Sequence, residues 1–167
     1  DLLLKGDFGY PEVNNFFGLG NTTKYDESLG YGYYRSRFRT LELQALLRKR
    51  LFEKLHLMAG PYYFHYWNEY GDNDKRILGN PSAINLDSAD VYSKKTYLGA
   101  KLAMRFDNRN NEIFPTRGII WDNEVVATAG MTETAKNFAK VSTDMTIYAS
   151  LRDPARVVAV IGVGAGK

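Results

Sequence analysis

Cysteine is absent from the chain, which excludes a disulfide scaffold and a zinc–thiolate site. Long apolar runs are missing too: no stretch approaches the ~18 residues of a membrane-spanning helix. Charge of one sign is scarce. The 22 basic and 19 acidic residues leave a formal net charge of +3, a balance that implies no nucleic-acid partner. The start, Asp1-Leu2-Leu3-Leu4, has neither an initiating Met nor a signal peptide. The end, Gly164-Ala165-Gly166-Lys167, leaves straight from an apolar, strand-like run. The sequence is therefore expected to be an internal piece of a longer protein. What is plentiful is apolar and aromatic. Hydrophobic residues make up 44% of the 167, too many for a disordered tail, and the length fits one domain, 1–167. The 12 Tyr and 9 Phe lean the chain toward strands, because aromatic rings suit a pleated surface.

Alternation with a period of two is the main pattern. From Thr96 to Asn108, one face carries Thr96, Leu98, Ala100, Leu102, Met104 and Phe106. The other carries Tyr97, Gly99, Lys101, Ala103, Arg105 and Asp107. Phe138 to Arg152 repeats this, with Val141, Met145 and Ile147 opposite Lys140, Asp144 and Tyr148. No helical period separates these residues so cleanly. Five further strands are expected: Tyr33–Arg50, Leu55–Trp67, Arg117–Thr128, Arg156–Ala165 and, interrupted by Gly18 and Gly20, Tyr10–Tyr25. A helix competes over Leu41–Lys54, where Leu, Gln and Lys are good helix formers.

The connections alternate in length. Phe52-Glu53-Lys54 and Asp153-Pro154-Ala155 are short, whereas Asn68–Ser93 is long and rich in Asn, Asp, Gly and Ser. Long loops at one end and short turns at the other mark an up-and-down barrel that crosses an outer membrane. A soluble barrel or sandwich would show the same alternation with the faces reversed. Aromatic residues near the strand ends favour the membrane reading, since two girdles form where rings meet lipid headgroups. Tyr33, Tyr34, Tyr62, Tyr63, Tyr66, Trp67 and Tyr92 are expected at the long-loop end, and Phe52, Phe106, Phe114 and Trp121 at the other. Core packing is the competing role for Phe64 and Tyr66.

The segment from Leu102 to Lys167 carries Phe106-Asp107-Asn108-Arg109-Asn110 at a strand end, then Phe114-Pro115-Thr116-Arg117-Gly118. A strand, a loop, a strand with a central Asp144, a short Pro turn and a Gly-ending strand follow. This order resembles the outer-membrane barrel-assembly superfamily (BamA-type, bacterial surface antigen), whose cousins are the two-partner secretion transporters. Upstream, Phe16-Phe17-Gly18-Leu19-Gly20-Asn21 followed by Tyr25 looks like Bacteroidetes-type members. The resemblance implies an all-β fold, an antiparallel up-and-down meander forming roughly the fifth to eleventh strands of a sixteen-stranded transmembrane β-barrel. It implies a bacterial outer-membrane location, with insertion of outer-membrane proteins or polypeptide translocation as the activity. No cofactor and no chemical step are needed for either. The family's Val-Arg-Gly-Phe/Tyr loop motif is absent, and by the resemblance it would follow Lys167. A barrel that anchors or exports a fused phosphoesterase or patatin-like enzyme outside this chain is the second reading. A soluble β-sandwich binding module is the third.

Chemical motifs are few. Gly162-Val163-Gly164-Ala165-Gly166-Lys167 has the wrong register for a phosphate loop, since position 161 is Ile. Asp72-Asn73-Asp74 lacks the remaining ligands of a calcium loop and reads as solvated. His56 and His65 have opposite parity and cannot share a metal. Asn21-Thr22-Thr23 is a formal glycosylation sequon without consequence in a bacterial protein. No catalytic, cofactor or metal residue is therefore expected. Lys101, Arg105, Asp107, Arg109, Lys140, Asp144, Gly162, Gly164 and Gly166 are expected to face the lumen. Leu98, Leu102, Met104, Val141, Met145 and Ile147 are expected to face lipid. Asp107, Arg109, Pro115 and Gly118 form the family turn motif, with Asp107 and Arg109 able to pair. The glycine row is expected either to leave room for the loop after the last strand or to ease strand coiling. Expected partners are outer-membrane lipid, lipopolysaccharide and client polypeptides, with no nucleic acid. Arg35, Arg37 and Arg39 share parity with Leu41 and Leu43. They are candidates for lipopolysaccharide phosphates, or else residues exposed to the lumen or to solvent in a twisted strand extension.

Overall fold

The computed structural model describes residues 1–19, 25–151 and 157–166. Seven strands lie in one sheet in chain order, every neighbouring pair antiparallel. They are β1 (Leu2–Asn15), β2 (Arg35–Phe52), β3 (Leu55–Trp67), β4 (Lys95–Asp107), β5 (Gly118–Gly130), β6 (Phe138–Ser150) and β7 (Val158–Gly166). The sheet curls into a half-barrel. A sandwich needs two packed sheets, and the described strands form only one.

The two faces differ sharply. Every buried strand residue, namely Ser36, Thr40, Gln44, Leu46, Tyr62, Lys101, Val126 and Thr128, lies on the same face. That face is the inside of the curl, where side chains of neighbouring strands converge. The opposite face presents Leu2, Leu4, Phe8, Leu43, Leu47, Leu57, Leu98, Leu102, Val125, Val141, Ile161 and Val163, all exposed, Leu4 to 76%. A water-soluble domain does not leave so wide an apolar surface uncovered. The alternation is thus apolar-out and polar-in, the arrangement of a barrel solvated by lipid.

β1 differs from the expected Tyr10–Tyr25 strand. Leu2, Leu4 and Phe8 alternate with Leu3, Lys5 and Asp7, and the strand pairs with β2 from Leu2↔Leu47 to Asn15↔Arg35. A register shift between Gly9 and Glu12 absorbs Tyr10 and Pro11, which is why the alternation breaks there. Leu41–Lys54 is strand and turn rather than helix, because pairing on both sides of β2 overrides local propensity. Pro61 lies inside β3, a strand paired on both sides. It has no N–H to donate, and the β2–β3 ladder skips from Gln44↔Tyr62 to Leu47↔Ala59 around it without changing register.

One end of the sheet carries the connections 16–34, 68–94 and 131–137; the other carries the Glu53–Lys54 turn and 108–117. Gly20, the Asn21-Thr22-Thr23 sequon, Arg152, the Asp153-Pro154-Ala155 turn, Arg156 and Lys167 lie outside the described residues. The long connection is not a solvated loop. It folds into α1 (Tyr70–Asn73), 3-10 turns at Ile77–Gly79 and Pro81–Ile84, and α2 (Ser88–Tyr92). Ile77 and Leu78 are buried with Tyr34 of the first connection, and Phe16, Tyr33, Ile84, Leu86 and Val91 pack around them. Two loops therefore share one small core, a cap at this end of the sheet.

Candidate functional site: the charged inner wall and the cap

The inner face of β4–β6 carries a ladder of charges. Lys101 on β4 is 9% exposed, and its Nζ lies 2.6 Å from Glu124 on β5. Four residues toward the short-turn end, Arg105 makes a two-pronged pair with Asp122, at 2.6 and 3.0 Å. At the end of β4, Arg109 donates to the Asp107 carboxylate through Nε at 2.9 Å and Nη2 at 2.6 Å. That pairing, with a smaller contribution from Tyr148, holds the Arg109 guanidinium more firmly protonated than usual. Period two puts Lys101, Arg105 and Asp107 on one face, and the β4–β5 register supplies Asp122 opposite Arg105 and Glu124 on the diagonal from Lys101, opposite Ala103. A row of matched charges on a curled wall suits a water-filled interior, where a guanidinium–carboxylate fork keeps both groups satisfied.

The next strand breaks the matching. Asp144 on β6 lies opposite Asp122 on one side and Gly164 on the other, and carries no ion pair among the described residues. A side chain at position 164 would collide with the Asp144 carboxylate, so the carboxylate leans over the glycine. Gly162 and Gly166 continue the row opposite Thr146 and Ser142, and Lys140 stands opposite Val126 on the same face. Leu98, Leu102, Met104, Val141, Met145 and Ile147 all occupy the other, apolar face.

The turn after β4 is built by asparagines that the sequence motif only partly exposed. Asn108 Oδ1 accepts from Ile119 N–H, and Asn110 Oδ1 from Thr116 and Arg117 N–H. Asn111 Oδ1 accepts from Ile113 and Phe114 N–H. Short amides of this kind satisfy turn backbone, and their crowding in residues 108–111 was the available signal. Gly118 closes the turn at φ 119, with Arg109 Cα only 2.6 Å from where a Cβ would stand, so no other residue fits. Pro115 sits half-buried within the turn.

The aromatic residues divide by position. Phe52, Phe106 and Trp121 share the outer face at the short-turn end, and Phe114 is exposed on the turn. At the cap end only Tyr63 and Trp67 of the expected set face outward, joined by Phe8 and Tyr10. Tyr62 and Tyr66 point inward. Phe64 does too, against Tyr97, and Tyr66 packs on Phe38. Tyr33 and Tyr34 belong to the cap, and Tyr92 donates to the Leu78 carbonyl. The parity of each residue decided its side, and sequence proximity to a strand end did not.

The cap is fixed to β2 by a residue that had read as solvated. Asn73 is fully buried, at 0% exposure. Its Oδ1 accepts from Arg37 N–H at 2.9 Å and its Nδ2 donates to the Arg37 carbonyl at 2.7 Å. The amide thus imitates a strand partner just beyond Arg39↔Trp67, the last β2–β3 pair. Arg39 is held between Glu69 and Asp72 and lies 4.6 Å over the Tyr10 ring. It is therefore neutralised, which removes it from the candidates for phosphate. His56 and His65 fall on opposite faces, and among the described residues no cluster of His, Cys, Asp and Glu could hold a metal.

The geometry of a curled, apolar-out and polar-in sheet agrees with the comparison at the level of sequence families, where the model described as the Omp85 superfamily domain matches residues 4–167. No curated protein and no solved structure matches the chain. Since the match spans nearly the whole sequence, the chain belongs to the Omp85 superfamily, the outer-membrane barrels that act in protein insertion and polypeptide translocation.

Proposed function

We propose that this chain is barrel wall from an outer-membrane protein that inserts other β-barrels or passes polypeptides across the membrane. The observation that carries the reading is the inversion of the sheet: apolar residues on the outside of the curl, an ion-paired row on the inside. In this reading Leu98, Leu102, Met104, Val141, Met145 and Ile147 face lipid. Lys101, Arg105, Asp107, Arg109, Lys140, Asp144 and the glycines 162, 164 and 166 face the lumen. The partners are client polypeptides and the lipids of the outer membrane, lipopolysaccharide among them. The work is done by geometry: unpaired strand edges at a barrel seam template incoming strands by backbone hydrogen bonding, without a chemical step. The inner wall keeps water and polar polypeptide in the lumen, and the matched pairs hold its shape. Asp144, unmatched and leaning over the glycine row, gives a cationic loop a place to dock against the wall.

Depletion of the full-length protein in cells tests the reading. Folded outer-membrane barrels or an exported polypeptide should fall as it is lost, and unchanged levels of both would overturn the assignment. Gly164→Leu in the same protein separates the wall from the docking surface. Heat-modifiable gel mobility should show a folded barrel while the rescue of depletion fails. Full rescue with a bulky residue there would remove the docking role.

A further inference from the structure

The outer face of β2 reads Leu47, Ala45, Leu43, Leu41, Arg39, Arg37, Arg35 toward the cap. The change from aliphatic to guanidinium coincides with a group of rings. Phe8 stacks on Tyr10 at 5.9 Å and lies 6.2 Å from Trp67, and Arg39 covers Tyr10. Outward rings of this kind mark the level of lipid headgroups. Whatever stands just beyond them meets phosphate.

Arg39 is spent on Glu69 and Asp72. Its two neighbours along the strand are not. Arg35 and Arg37 carry no ion pair among the described residues, and the Arg37 Nε is shut from solvent with no partner. A third cation is brought to them by the cap. Arg76 donates from Nη1 to the carbonyls of Arg35 at 2.7 Å and Gly32 at 2.8 Å, and from Nε to the Asp72 carbonyl at 3.2 Å. These contacts are to backbone, so they fix the guanidinium without neutralising it. Burial first, then the nearby Arg37 and Arg35, loosen the proton on Arg76, with Asp74 partly offsetting them. Like charges gathered this way oppose one another until an anion joins them.

We propose that Arg35, Arg37 and Arg76 form a phosphate-binding site for lipopolysaccharide on the outer rim of the barrel, above the Phe8–Tyr10–Trp67 rings. The proposal rests on reading the chain as an outer-membrane barrel with its capped end outward. Arg35 and Arg37 are alternate residues on one face, about 7 Å apart along the strand. Each planar fork matches one phosphate bidentately. Two separated phosphates on one lipid therefore fit the site better than the single phosphate of a glycerophospholipid. The acyl chains of such a lipid would run down Leu41 and Leu43.

Full-length protein in phosphatidylcholine nanodiscs, doped with diphosphoryl lipid A, monophosphoryl lipid A or phosphatidylglycerol, tests this by native mass spectrometry. Diphosphoryl lipid A should be the most enriched. Arg35→Gln with Arg37→Gln should reduce that enrichment at least ~10-fold, as loss of two charge-assisted contacts requires. The single Arg35→Gln variant should lie between. Lys49→Gln, on the outer face at the opposite end, should leave it unchanged. Unaltered binding by the double variant, or equal enrichment of phosphatidylglycerol, would overturn the proposal. Nanodiscs present both leaflets, so this outcome does not depend on which end of the barrel is outward. The orientation is read separately on cells.

Discussion

At the scale of single residues, Asn73 does what no local pattern announces. Asp72-Asn73-Asp74 has the composition of a solvated loop, yet Asn73 is sealed and bonded to Arg37, 36 positions earlier. A side chain that completes another segment's ladder is invisible until both segments are placed. Lys101 and Arg105 were easier, because the alternation put both on a polar face before any partner was known, and only Glu124 and Asp122 had to be found. Replacing Asn73 by Ala strands a buried N–H and carbonyl at Arg37. The expected cost is ~2–4 kcal/mol, from one to two unsatisfied groups. It should appear as faster hydrogen exchange at the Arg37 amide and earlier proteolysis within 68–94, with the strands below Arg39 unaffected. An unchanged Arg37 amide would show that the clamp carries no load.

Strands are the scale at which the sequence was most readable. β4 and β6 alternate without interruption, and their expected ends, Thr96–Asn108 and Phe138–Arg152, fall close to those of Lys95–Asp107 and Phe138–Ser150. β1 was misplaced because Gly6, Gly9 and Pro11 weaken its pattern, and the bulge that accommodates Pro11 shifts the parity. Leu102 stands mid-strand on the outer face between Ala59 and Val125, and it is 58% exposed. Arg at that position should destabilise the barrel by ~2–4 kcal/mol if it lies near the bilayer midplane. Arg at Ser142, on the inner face of β6, should cost far less. Cys introduced at Leu98, Leu102 or Val141 should react with a lipid-phase probe, and Cys at Lys101 or Lys140 should not. Equal reaction at both sets would show that the outer face is not against lipid.

For the molecule as a whole, the two ends of the sheet are built differently. The capped end carries two long connections that share a core, Tyr34 with Ile77 and Leu78, and Tyr92, whose hydroxyl is pushed up by burial, is tied into it. The other end has the two-residue turn at Glu53–Lys54 and the asparagine-stitched turn at 108–117. Barrels of the bacterial outer membrane keep short turns in the periplasm and long connections outside. Loop lengths were therefore legible in the sequence, whereas the cap's internal packing was not, because its apolar residues are spread singly among polar ones. The chain has no cysteine of its own, so no native thiol of this segment competes with an introduced one. Asp74→Cys and Glu133→Cys, both exposed at the capped end, should react with a membrane-impermeant maleimide on intact cells. Glu53→Cys should react only once the outer membrane is permeabilised. The reverse pattern would put the cap in the periplasm. It would then take Arg35, Arg37 and Arg76 away from lipopolysaccharide in the cell, even if they still bound lipid A in nanodiscs.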